Sequence, residues 1–151
     1  MVEIVPIELP NFGGLDEPLP QMPLSEYRQR LSAVVTRMEE AHLDFLLVYA
    51  DREHFANLAF LTGFDPRFEE ALLLLDVTGR RWLLVGNECM GYLPDVELNC
   101  EAVLFQEFSL MGQPRADSRS LRRIFADFGI TRGASVGCAG SQSPAPPATR
   151  S

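Results

Sequence analysis

Two uninterrupted apolar runs constrain the fold more than anything else in the chain: "LDFLLVY" at 43–49 and "ALLLLD" at 71–76. Each has the length of a strand and no polar face. That is the pattern of a strand covered on both sides, so helices are needed on either face of the sheet. A third run, "RRWLLVG" at 80–86, follows the turn "VTG" at 77–79 and is expected as the hairpin partner of the second. "EAVLF" at 101–105 and "ASVGCAG" at 134–140 supply a fourth and a fifth strand.

Helical spacing fills the gaps. In 25–41, Tyr27, Leu31, Val34, Met38 and Ala41 form one apolar stripe, with Ser25 as the expected N-cap. A short helix is expected at 51–61, capped by Asp51, and a helical turn at 88–94. The second clear helix is 117–128: Asp117 or Ser118 caps it, Leu121, Ile124, Phe125 and Phe128 face inward, and Gly129 stops it. The order helix, strand, short helix, hairpin, strand, helix, strand predicts an α/β domain, a mixed β-sheet with helices on both faces.

A length of 151 residues with 46% hydrophobic and 23% charged residues suits one domain with a real core. Three segments are expected: an extended Pro-rich arm at 1–23, the folded domain at 24–140 and a disordered Pro/Ala/Ser tail at 141–151. Within the arm, Ile4, Val5, Ile7, Leu9 and Phe12 suggest either contact with a surface or a mobile leader.

A net charge of -8 argues against nucleic acid and anionic membranes as main partners, since both need a basic surface. All 13 basic residues are Arg, so neither a lysine Schiff base nor a P-loop lysine is available. Cys89, Cys100 and Cys138 are odd in number and form no CxxC pair, and "MVEIVPIELP" has no signal-peptide character. A reduced, cytoplasmic protein is expected.

The usual catalytic motifs do not occur. Only His42 and His54 are present, with no HExxH, and His42 at a helix end suits the helix dipole. There is no GxSxG elbow. "GNECMG" and "GASVGCAG" are not phosphate loops, and each Cys lies in or near an apolar stretch. Neither a catalytic residue nor a metal site is expected in this chain. The loop "TGFDPRFEE" gathers Asp65, Arg67, Glu69 and Glu70. It reads as a turn with solvated charges or as a surface that meets something else. Glu69 and Glu70 point to opposite faces if they enter a strand, which weakens any carboxylate dyad between them.

The stretch "YRQRLSAVVTRMEEAHLDFLLVYADREHFANLAFLTGF" resembles the start of the creatinase / Xaa-Pro aminopeptidase / prolidase group of metallopeptidases. Arg30, Leu31, Met38, Asp44, Leu46, Leu47, Val48, Asn57, Leu61, Thr62, Gly63 and Phe64 carry the likeness, and "ASVGCAG" resembles a later strand. The resemblance covers about residues 25–140. It implies the family's N-terminal domain, of ribonuclease-H-like topology.

In the family, catalysis belongs to a C-terminal domain whose two Asp, one His and two Glu hold two divalent metal ions. None of those ligands has a counterpart here. The resemblance therefore implies a non-catalytic domain without a cofactor of its own, and the abrupt compositional change after Gly140 suggests a truncated or frameshifted gene product. It would form a homo-oligomer or pair with a full-length family member. As the family's N-terminal domain can wall a neighbour's active-site mouth, His54, Asn57, Phe64 and Arg67 are the expected substrate-contact residues, with Arg67 facing a carboxylate. The competing expectation is a stand-alone binding or scaffolding protein that uses its sheet edge or arm.

Overall fold

The computed structural model describes residues 5–8, 21–93 and 100–140. In chain order the elements are α1 (Leu24–Glu40), β1 (Phe45–Ala50), α2 (Ala56–Thr62), β2 (Ala71–Asp76), β3 (Arg81–Val85), β4 (Cys100–Leu104), α3 (Leu121–Asp127) and β5 (Val136–Ala139). Short 3-10 turns at Cys89–Gly91 and Gln106–Phe108 flank β4. The five strands form one sheet in the order β4-β3-β2-β1-β5. β1, β2 and β3 are an antiparallel meander, while β4 lies parallel to β3 and β5 parallel to β1.

Alternation along the strands divides the core into two layers. Val48, Ala50, Ala71, Leu73, Leu83 and Val85 face α1 and α2, where Leu58, Leu61 and Phe64 complete the cluster. Leu72, Leu74, Trp82, Leu84 and Val103 face the other way, against Ile124 of α3 and the neighbouring Leu121, Phe125 and Phe128. Trp82 and Phe128 stack with centroids 4.5 Å apart. All six residues of β2 are buried, which explains its continuous apolar run. The mixed sheet with helices on both faces is the architecture the sequence predicts.

The helix boundaries depart from expectation where a side chain has a better partner. α1 starts after Pro23, whose φ of -67° and ψ of 146° set the entry, and Ser25 lies inside the first turn. On its stripe Met38 is buried and Val34 packs on the core, but Ala41 is exposed past the helix end. α2 begins at Ala56, because Asp51 Oδ1 instead closes a turn by accepting the N–H of Glu53 at 2.9 Å and of His54 at 2.7 Å.

α3 is capped by Ser120, which accepts from Arg123 N. Ser118 Oγ is taken by the Gln106 N–H at 3.2 Å, and the Asp117 N–H donates to Gln106 Oε1 at 2.8 Å. Gly129, with φ 90°, ends α3 as expected. Val5 and Ile7, in the described part of the arm, are exposed. Ile4, Leu9, Phe12 and the tail at 141–151 lie outside the described residues.

Candidate functional site

Strand directions bring four connections to one end of the sheet. Ala50, Ala71, Val85 and Leu104 lie in register across β1, β2, β3 and β4. The segments after β1, before β2, after β3 and after β4 therefore meet there. The carboxyl ends of parallel strands are where open α/β sheets carry their sites.

The segment before β2 is built by local bonds. Thr62 Oγ1 donates to the Leu58 carbonyl at 2.8 Å and accepts from the Phe64 N–H at 3.1 Å, turning the chain out of α2. Gly63, at φ 71°, sits under the Tyr27 ring, and a Cβ there would be 2.7 Å from the Tyr27 hydroxyl. Asp65 Oδ1 then accepts the Arg67 N–H at 2.8 Å, holding Arg67 at φ 61°. Pro66 is buried, and its carbonyl accepts the Phe68 N–H at 2.7 Å and the Cys89 thiol at 3.4 Å.

Glu69 is the centre of the arrangement. It is 3% exposed, so the expected solvated loop does not hold at this residue. Its parity with Ala71 and Leu73 sends it inward, while Glu70 stays exposed. Oε2 accepts the Cys89 N–H at 2.8 Å and Oε1 the Glu88 N–H at 3.2 Å. Its path crosses Gly86, where a Cβ would clash with Oε1 and stand 2.7 Å from Ser109 N. Glu88 presents a second carboxyl there.

Burial, and then the Glu88 carboxyl beside it, push the Glu69 pKa up against the pull of its N–H donors. Contact with the Glu69 carboxyl lowers that of Glu88. Cys89, buried between them and Pro66, is pushed up to about 12 and is not a thiolate at neutral pH.

Beyond Glu69 lies a groove of about 360 Å³, bordered by Asp51, Glu53, Phe68, Glu70, Leu110 and Met111. Its far wall is rigidly supported. Arg115 donates to the carbonyls of Gln106 and Ser109, both at 3.0 Å, and the Gln106 amide reaches Asn87 Oδ1 at 2.9 Å. On that frame Met111 is 97% exposed, with Phe68 half-exposed opposite.

Of the expected contact residues, His54, Asn57 and Arg67 are exposed. His54 Nδ1 lies 3.1 Å from Asp51 Oδ1, and Arg67 Nε lies 3.5 Å from Asp65 Oδ2. Phe64 is different: at 2% exposure it belongs to the core and tilts against Tyr92, so its ring is a packing element. None of the four borders the groove, although His54 and Arg67 adjoin the segments that do. Sequence reasoning missed Glu88, Phe68, Leu110 and Met111. The available signal was Glu69's inward parity, together with a glycine directly after β3.

Among the described residues, no group of three or more His, Cys, Asp or Glu is placed to hold a metal ion. Glu69 already spends both oxygens on N–H donors, so the residues here do not fit a two-metal centre. Among the described residues no helix is long and apolar enough to cross a membrane.

The sequence model of the Creatinase/Prolidase N-terminal domain family matches residues 30–142. Among solved structures, dipeptidase PepE from Mycobacterium ulcerans is 17% identical with a TM-score of 0.46, over 57% of this chain and 24% of that one. The creatinase/prolidase-like N-terminal domain of a protein described as a metallopeptidase from Corynebacterium diphtheriae is 16% identical, TM-score 0.46, over 75% and 94%. An Xaa-Pro aminopeptidase from Streptococcus pyogenes is 18% identical, TM-score 0.44, over 76% and 92%. No curated protein matches. Residues matched to this dipeptidase thus span about a quarter of its length.

Proposed function

The chain belongs to the Creatinase/Prolidase N-terminal domain family. From that premise we propose that it is a non-catalytic domain of an Xaa-Pro peptidase-like metallohydrolase. It serves self-association and borders the entrance to an active site carried by another domain or chain. The observation that carries this reading is the family match across residues 30–142, which spans every strand and helix after the start of α1.

The loop-bearing end of the sheet supports the role. Exposed Phe68 and Met111 offer apolar contact area there, and His54, Asn57 and Arg67 stand exposed beside it. Arg67 is the residue that would meet a substrate carboxylate, because its side chain is 66% exposed and its guanidinium only loosely paired at 3.5 Å. Its partner Asp65 is already engaged by a backbone N–H. The metal ions of the reaction would be held outside this chain's described residues. Free thiols at Cys89, Cys100 and Cys138 accord with a reducing compartment such as the cytoplasm.

Light scattering across a concentration series tests self-association. A dimer or larger species is expected, and Met111→Asp should weaken it. A monomer at every concentration contradicts that role. The scaffolding alternative draws on β4, a sheet-edge strand whose outer side has no partner strand among the described residues. Pull-down with a full-length relative, with and without a proline in β4, separates it from assembly through the loops.

A further inference from the structure

Two carboxyl groups lie together behind the groove, and one of them is bound by two backbone N–H donors. Glu69 accepts the N–H groups of Glu88 and Cys89. Both side-chain oxygens of Glu88 are shielded from solvent and have no partner at hydrogen-bonding geometry among the groups around them. Two adjacent buried carboxyls cannot both ionise without a large electrostatic cost, so such pairs retain one proton.

We propose that Glu69 and Glu88 share a single proton, and that its loss frees the 65–70 segment from the turn after β3. With the proton on Glu69, its carboxyl donates to Glu88 while its oxygens still receive the two N–H groups. The contacts then close together: Glu69 to the turn, the Cys89 thiol to the Pro66 carbonyl, and Gly86 leaving room for both. Without the proton, two carboxylates face each other with little exposure to solvent. An ionised Glu69 would be the better acceptor for its N–H donors. Burial and the Glu88 carboxylate nevertheless outweigh that gain, as the upward displacement of its pKa shows.

The charged and titratable surroundings support this assignment. On the same turn is Cys89, which stays a thiol, and from the loop comes Asp65. Asp51, Arg52, Glu53 and Glu70 border the groove beside Glu69. The segment after β4 brings the Leu110 N–H towards Glu88. Its Arg115 is already held by the Gln106 and Ser109 carbonyls and by Glu107. No cation among these is committed to the pair.

Opening would reposition Phe68 and Glu70, which border the groove, so the proton state would set the shape of the surface offered to a partner.

Amide hydrogen exchange followed by NMR on the full chain tests the latch. The Glu88 and Cys89 amides are compared with Leu73 and Leu83 in the core, after correction for base-catalysed exchange. Above the ordinary glutamate range, opening at Glu88 and Cys89 should rise about tenfold per pH unit while the core amides stay protected. Carboxyl carbon shifts should show one of the two glutamates titrating over the same interval.

Glu69→Gln supplies a permanent donor to Glu88 and should abolish the step. Glu88→Gln removes the second charge and should take it out of that interval as well. If one variant does not fold, the other decides. The proposal is overturned if the wild type shows no step, if both glutamates titrate in the ordinary range, or if the step persists in either folded variant.

Discussion

The two ends of the sheet each bury a carboxyl group, and they treat it in opposite ways. At the hairpin end, Asp76 receives the Thr78 N–H at 2.9 Å, the Thr78 hydroxyl at 2.6 Å, the Arg80 N–H at 3.0 Å and Arg80 Nε at 2.6 Å. Burial alone would raise its pKa, but the Thr78 and Arg80 donors outweigh it and hold the carboxyl below its ordinary value. At the loop end, Glu69 has two N–H donors and a second acid for a neighbour, and its pKa rises. Equal burial thus goes with pKa shifts in opposite directions, because the number and sign of the neighbours decide. One end is a closed structural turn, and the other sets two acids side by side.

A change in the shared core should erase this contrast. Leu73 is fully buried between the ends, and Leu73→Ala is expected to cost about 3 kcal/mol in denaturant unfolding, loosening both ends together. Asp76→Ala should cost slightly less, about 2 kcal/mol, by orphaning donors to a charged acceptor. Its loss of hydrogen-exchange protection should centre on the β2–β3 turn and spare Glu88 and Cys89. Gly86→Ala is the counterpart at the loop end. It forces a methyl against Glu69 and Ser109 N, and about 1–2 kcal/mol of destabilisation is expected, localised to the groove.

Acid and base should separate the two ends further. Asp76 has a depressed folded pKa, so its contribution is present above the unfolded value of 3.8 and is lost as pH falls through the folded one. Glu69 has a raised folded pKa. Its contribution is fully present below the unfolded value of 4.5 and is lost as pH rises through the folded one. Asp76→Asn should flatten the acid limb of a stability–pH curve and Glu69→Gln the upper limb. The smallest effect belongs to Arg67→Gly, which relieves a left-handed non-glycine residue and should leave stability within about 0.5 kcal/mol of wild type.

The fold was readable because its strongest signals are periodic. The all-buried β2, the Val34–Met38 stripe and the inward row of α3 follow from spacing alone. Caps were less readable, since an Asp or Ser in sequence does not reveal which backbone group it will meet. Asp51, Asp117 and Ser118 are each engaged in turns or loop ties rather than at the helix starts expected of them.

The candidate site was half readable. "LTGF" is part of the family likeness, yet Leu61, Thr62 and Phe64 are buried in packing, and Gly63 makes room for Tyr27. Glu69 faces inward as alternation requires. Its partner lies 19 residues further along the chain, on a turn that only the β2–β3 pairing brings within reach.

The central question is whether this chain performs chemistry by itself. The direct measurement is hydrolysis of Xaa-Pro dipeptides and longer Xaa-Pro peptides by the purified chain, with added Mn²⁺, Co²⁺ or Zn²⁺. No release above the metal-only control is predicted at any metal concentration. Saturable, chelator-sensitive cleavage that co-purifies with the chain would contradict it.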